Sequence, residues 1–234
     1  MEVIILAGGL GTRLRSVVKE VPKCMAKVGG KPFLWYLLKY LTRFDVNKVI
    51  LSVGYLREVI YTWIDNVKDD FPFDIDYAIE DVPLGTGGGI KLALKKATAD
   101  NVFVLNGDTY FDVNLNDLMN FHIAHSSAVT MALKTIKDNS RYGRVVVDNC
   151  SQQIIEFKEK ESCGDGLING GVYIVNKLEP IFFGLPEKFS FEKLVLVSQC
   201  KLGKLFGLVQ NGYFIDIGIP EDYHKADIEL KNIL

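Results

Sequence analysis

The sequence predicts an α/β fold: a mostly parallel central sheet with helices on both faces, and an added β-rich subregion in the second half. Three observations lead there. Short unbroken apolar runs recur, most of them ending at glycine or a polar residue, as strands buried on both faces do. Between them lie segments whose apolar residues have helical spacing. After Asp108 the alternation gives way to closely spaced strand-like runs with fewer helices between them.

Val3 to Leu6 is the first such run, and it stops at Gly8-Gly9. Leu34 to Phe44 places Leu37, Leu38, Leu41 and Phe44 on one helical face, behind Pro32, a residue suited to a helix start. Val49 to Val53 reads as a second buried strand ended by Gly54, Arg57 to Val67 as a helix and Ile75 to Ile79 as a strand. Ile90 to Ala97 has helical spacing, and Val102 to Leu105 is again a short buried strand. Ala128 to Leu133, Gly143 to Val147, Ile154 to Phe157 and Gly171 to Val175 are the later strands, and a helix is expected at Pro220 to Leu230. In a sheet of this kind the strand-to-helix connections share one edge, and ligands bind there. No linker or internal repeat divides the chain. It reads as one domain, residues 1–234, with a first part at 1–112 and a second at 113–234.

Composition narrows the function classes. Apolar residues make up 48% and charged residues 24% of 234, which excludes a disordered or collagen-like chain. A net charge of −2 provides no basic field, so a nucleic-acid partner is not expected. No apolar run approaches a membrane span, and Val3 to Ala7 is too short for a secretory signal. The four cysteines form no C-x-x-C pair and have no zinc-like spacing to histidine, so a reduced, cytoplasmic setting is expected. The 21 glycines are clustered, at Gly8, Gly9 and Gly11, at Gly85 and Gly87 to Gly89, and at Gly170 and Gly171. Such clusters mark backbone that turns with positive φ or approaches a ligand closely.

Leu6-Ala7-Gly8-Gly9-Leu10-Gly11-Thr12-Arg13-Leu14 follows the first strand. A Walker loop would need Lys-Ser/Thr after its last glycine, which is absent. A dinucleotide fingerprint would need a glycine where Leu14 stands. A loop that offers backbone N–H groups to a nucleoside triphosphate, with Arg13 as counter-charge, remains beside a plain tight turn. Lys23, ten residues further, adds a second cation, and two fixed cations beside a glycine loop suit a polyphosphate.

With Pro22-Lys23 in place, the sequence resembles the sugar-1-phosphate nucleotidyltransferases, whose signature is GG-x-G-T-R-L followed by P-K. Cys24 and Lys27 stand where that family often has proline. The resemblance implies a Rossmann-like nucleotide-diphospho-sugar transferase fold. It also implies that 1–112 binds nucleotide and 113–234 binds sugar phosphate.

Other segments extend it in the family's order. Asn106-Gly107-Asp108 follows a fully apolar strand, where a carboxylate beside phosphates is a natural Mg²⁺ ligand and a turn cap is the plainer alternative. Asp216, in Ile215-Asp216-Ile217-Gly218-Ile219-Pro220, sits between apolar residues and would share that ion; Ile219 replaces the usual Thr. Glu80-x-x-Pro83-Leu84-Gly85-Thr86 belongs to the loop, extending to Gly89, that the family uses for base and ribose. A carboxylate at Glu80 could accept from both N–H groups of guanine, and a solvated strand end is the alternative. Glu159-Lys160 would hold sugar hydroxyls and the acceptor phosphate. Asn169-Gly170-Gly171-Val172-Tyr173 resembles the family's sugar-binding segment.

The implied activity joins a nucleoside triphosphate to a sugar 1-phosphate and releases pyrophosphate, with Arg13, Lys23 and Asp108 as the catalytic groups and Mg²⁺ on Asp108 and Asp216. Within the family the segments resemble the heptose 1-phosphate guanylyltransferase group, which implies GTP, a heptose acceptor and a product used for surface polysaccharide. Mannose, glucose or N-acetylmuramic acid 1-phosphate with GTP, CTP or UTP is the alternative, and a non-catalytic sugar-nucleotide sensor or a nicotinamide oxidoreductase is a reading of another class. A homodimer is expected on the general habit of soluble enzymes. His122 and His125, three apart on an expected helix, have no third metal ligand nearby. Glu192 could touch substrate or serve a helix start.

Overall fold

A computed structural model describes residues 1–9, 14, 21–137, 142, 144–158 and 164–232. Strand β1 (Glu2–Leu6) is followed by a short hairpin, β2 (Lys27–Val28) and β3 (Lys31–Pro32), and by helix α1 (Phe33–Leu41). β4 (Lys48–Val53), α2 (Arg57–Val67), β5 (Asp74–Ile79), α3 (Gly85–Ala93) and β6 (Asn101–Asn106) continue the alternation. Then come β7 (Thr109–Phe111), α4 (Leu115–Ala124), β8 (Val129–Ile136), β9 (Arg144–Val147), β10 (Ile154–Lys158) and β11 (Gly166–Asn176). A π-helical segment (Phe191–Leu196) leads into α5 (Val197–Lys201), and β12 (Leu205–Val209), β13 (Phe214–Asp216) and α6 (Pro220–Glu229) follow.

Nine strands form one sheet in the order β10-β9-β11-β6-β1-β4-β5, with β8 beside β11 and β12 beside β8. β6, β1, β4 and β5 are mutually parallel, whereas β11 runs antiparallel to β6 and β8. The predicted change of rhythm after Asp108 is this switch from parallel to antiparallel pairing. Val3, Ile4 and Ile5 of β1 are wholly buried because apolar layers cover both faces. One layer packs α1 and α2 against the sheet through Leu34, Leu37, Leu38 and Ile60; the other packs Ile90, Ala93, Phe191 and Val195 against it. Burying a Leu- or Phe-sized side chain contributes about 1.5–3 kcal/mol, so these layers dominate the fold's stability.

The helix expected from Ile90 starts five residues earlier, at Gly85. Glycines read as breakers, yet here they make room. A Cβ on Gly85, whose φ is +73°, would come within 2.6 Å of the Phe189 carbonyl oxygen. The segment around Phe189 therefore lies directly across the start of α3, and the Gly87 N–H donates to that same carbonyl at 3.0 Å. Gly87 and Gly88 are buried against Phe189 and Glu187, and Gly89 against Glu80 and Ser52. Among the described residues no helix is long and apolar enough to cross a membrane.

Candidate active site

The carboxyl ends of β1 and β6 and the start of α3 frame a cavity of about 440 Å³. Leu6, Ala7, Gly8 and Gly9 line it from β1, and Asn106, Gly107 and Asp108 from β6. Glu80, Pro83, Gly85 and Thr86 close one side, Lys23 and Cys24 another, and Glu192 enters from the second half of the chain. The Gly107 N–H donates to the Leu6 carbonyl at 3.1 Å, so the two strand ends are tied together beneath the cavity. The Ala7 N–H is likewise committed, to the Ser52 carbonyl at 2.8 Å.

Lys23 reaches this edge from a short 3₁₀ turn after Pro22. Its ammonium donates to Asp108 Oδ2 at 2.5 Å and lies 3.8 Å from Asp216 Oδ1. Asp216 arrives through the small β13–β7 pairing, in which Asp216 stands opposite Thr109, and Ile217 N–H donates to the Asp108 carbonyl at 2.9 Å. The Gly218 N–H also donates to Asp216 Oδ1, at 2.6 Å. Two carboxylates from distant segments thus converge on one cation. The lysine side chain is 10% exposed, while the carboxylates are 34% and 24% exposed, so both acids keep an open side. Hard, partly open oxygen donors around a cationic position fit a divalent ion such as Mg²⁺.

Glu80 is no solvated strand end. Oε1 accepts from the Ser52 hydroxyl at 2.9 Å and Oε2 from the Leu84 N–H at 3.0 Å. The second bond closes the turn that carries Pro83 and Gly85. A carboxylate oxygen has two lone-pair directions, so each can still accept from a ligand.

Asn106, Asn169 and Tyr173 form one group. β11 slips register against β8 between Asn169 and Tyr173, and Gly171 sits in that bulge with φ +72°. A Cβ there would lie 2.8 Å from Asn106 Nδ2, so glycine lets the bulge reach Asn106. Asn169 Oδ1 accepts from the Gly171 N–H at 2.9 Å, and its Nδ2 donates to the Tyr173 hydroxyl at 2.6 Å. Tyr173 is wholly buried and stands behind the cavity wall, where it supports the asparagines. Burial above all, with the Glu192 carboxylate next, raises its hydroxyl pKa far above the usual value. Burial, followed by the Asp108 charge, pushes the Cys24 thiol up to about 12, so it stays protonated on the cavity wall.

Gly11, Thr12, Arg13, Glu159 and Lys160 lie outside the described residues. One residue of the site went unread in the sequence: Ser52 is a hydroxyl inside an otherwise apolar strand run, and that isolated polarity was its signal. Glu192, weighed as a substrate contact or part of a helix start, lies in the first turn of the π-helical segment and lines the cavity. His122 is engaged within the fold: its ring nitrogens lie 2.7 Å from Thr130 Oγ1 and 3.0 Å from Asn101 Oδ1.

The family model for nucleotidyl transferases matches residues 2–232. Two curated relatives are both named D-glycero-α-D-manno-heptose 1-phosphate guanylyltransferase. That of Aneurinibacillus thermoaerophilus is 47% identical over 234 residues, covering 100% of each chain. That of Campylobacter jejuni is 46% identical over 227 residues, covering 96% of this chain and 97% of its own. The crystal structure of HddC from Yersinia pseudotuberculosis complexed with GMP-PN is 40% identical, with a TM-score of 0.83 over 98% of this chain and 99% of that one. With a family match over nearly its full length, and its cavity at the carboxyl edge of the parallel strands, the chain belongs to the nucleotidyl transferase family.

Proposed function

We propose that the chain transfers a guanylyl group from GTP to D-glycero-α-D-manno-heptose 1-phosphate, releasing pyrophosphate and forming the GDP-sugar. The observation that carries this reading is the convergence of Asp108 and Asp216 on the Lys23 ammonium, on the wall of a cavity bordered by glycine-rich backbone. Full-length identity of 46–47% to relatives of that name supports the choice of substrates.

The chemistry asks little covalent work of the protein. A phosphate oxygen of the sugar 1-phosphate attacks the α-phosphorus, a new P–O bond forms, and the bridging bond to the β-phosphate breaks with its electrons on pyrophosphate. Positioning and charge stabilisation then dominate. Gly8, Gly9 and Gly107 let the nucleotide lie against backbone. Glu80, held by Ser52 and the Leu84 N–H, presents its remaining lone pairs to the guanine N–H groups. Lys23, already at the reacting edge, neutralises the α-phosphate. Asp108 and Asp216 would hold Mg²⁺, which supplies positive charge to the reacting phosphates. Asn106 and Asn169 face the acceptor sugar. Arg13 is assigned to the leaving pyrophosphate, Lys160 to the acceptor phosphate and Glu159 to sugar hydroxyls.

A pyrophosphate-release assay across four nucleoside triphosphates and several sugar 1-phosphates tests the reading. GTP with the heptose 1-phosphate should be the best pair. Turnover confined to another pair would replace the substrates, and binding without turnover in every pair would favour a sensor.

A further inference from the structure

Glu192 is placed by both halves of the chain. Ser190 caps the segment Phe191–Leu196, its hydroxyl accepting from the Lys193 N–H at 3.2 Å, which brings Glu192 into the first turn. Glu192 Oε2 then accepts from Thr86 Oγ1 and from Ser190 Oγ, each at 2.8 Å. Thr86 is held in turn, because its hydroxyl accepts from the Phe191 N–H at 2.9 Å. One carboxylate oxygen therefore makes the structural contacts and fixes the rotamer. Oε1 has no hydrogen bond or ion pair among the described residues, and Glu192 lines the cavity.

An oxygen of this kind selects its ligand. It cannot donate, and with no cation paired to it among the described residues it repels phosphate, so it suits a hydroxyl better than the triphosphate or the acceptor phosphate. It accepts strongly from hydroxyl groups, and a charged acceptor makes a stronger bond than a neutral one. Thr86, from the nucleotide loop, is already bonded to Oε2, and the neighbours beyond it lead to the acceptor side. The Phe191 ring packs edge-on against Tyr173 at 5.4 Å, and Tyr173 supports Asn169.

We propose that Glu192 binds a hydroxyl of the acceptor sugar through Oε1 and helps to set which sugar 1-phosphate is used. This rests on the nucleotidyltransferase reading above. The test is steady-state kinetics of Glu192→Ala and Glu192→Gln, varying the heptose 1-phosphate and GTP separately, with a melting curve for each variant. Losing a charge-assisted bond should raise the sugar KM of Glu192→Ala about tenfold to a hundredfold. The KM for GTP and kcat should stay within about threefold, since neither phosphate nor base is touched. Glu192→Gln keeps an oxygen acceptor and should lie between the wild type and Glu192→Ala. Against monodeoxy sugar 1-phosphates, the wild type should penalise one missing hydroxyl that Glu192→Ala ignores.

An unchanged sugar KM would overturn the inference. So would equal rises in both KM values with a lowered Tm, which is what a purely structural role would give. A rise confined to GTP, with indifference to 2′- or 3′-deoxyGTP, would move the contact to the ribose and also overturn it. No pyrophosphate from the wild type with any pair would instead overturn the underlying reading, and this inference with it.

Discussion

Two polar clusters sit against the same sheet and are built on opposite terms. In the first, His122 is 2% exposed, and both ring nitrogens are within hydrogen-bond distance of partners, Thr130 and Asn101. Glu2, at the far end of β1, is equally self-contained: it accepts from the Thr98 N–H, the Thr98 hydroxyl and the Ala99 N–H. Burial alone would raise its pKa, but these bonds bring it below the usual carboxylate value. In the second cluster, two partly exposed carboxylates share one ammonium, and Asp108 and Lys23 line the cavity. Buried polar groups that serve the fold are satisfied internally. Those left with unused acceptor capacity at a cavity await a ligand, and this difference separates His122 from Asp108.

Substitutions can break or sharpen that contrast. The largest effects are expected at Lys23 and Asp108. Lys23→Met removes the one described cation between the carboxylates, and turnover should fall about 10²–10³-fold, the cost of losing one charge-stabilising donor. Its Tm should change far less than its rate, since the two acids keep their open side to water. Retained turnover, measured as pyrophosphate release, would place the chemistry elsewhere.

Next comes His122, where the effect is on stability. Burial lowers its pKa from 6.5 to about 4. Between those values the unfolded chain takes up a proton that the folded chain refuses. Stability is therefore full above pH 6.5 and is lost as pH falls toward 4, by about 3 kcal/mol at 1.36 kcal/mol per unit. Denaturant unfolding as a function of pH should show the slope, and His122→Gln should flatten it while leaving kcat unchanged. A pH-independent wild type over that range would mean that the ring is protonated inside the fold.

The smallest effect is expected at Ser52. Ser52→Ala releases Oε1 of Glu80, and the KM for GTP should rise about tenfold with kcat held. Preference for GTP over ITP, which lacks the exocyclic amine, should shrink. Equal loss with both nucleotides would mean that Ser52 supports the turn and not the base.

Much of this was legible in the sequence, for physical reasons. β1, β4 and β6 are doubly buried, so their central residues must be apolar and announce themselves. α2 was read at its observed bounds, Arg57–Val67, because one face is apolar and the other charged. The start of α3 was not, because its glycines serve packing by Phe189, a partner about a hundred residues away in sequence. The β7–β13 pair escaped for the same reason: three-residue strands carry no periodicity, and their pairing is set by tertiary contact. Lys23, Asp108 and Asp216 were readable as a charge pattern, but the convergence of both acids on one ammonium was not. Ser52 on Glu80 and Thr86 on Glu192 were invisible because each bond joins residues far apart in the chain, 28 and 106 positions respectively.

The most direct test pairs one substitution from each cluster and takes two readings of each. Asp108→Asn and His122→Gln would be measured for pyrophosphate release from GTP and heptose 1-phosphate and for Tm. Asp108→Asn should lose turnover by about 10³-fold while its Tm stays within a few degrees, and His122→Gln should lose Tm while keeping its kcat. Near-normal turnover in Asp108→Asn, or a loss of kcat in folded His122→Gln, would contradict the division between the two clusters.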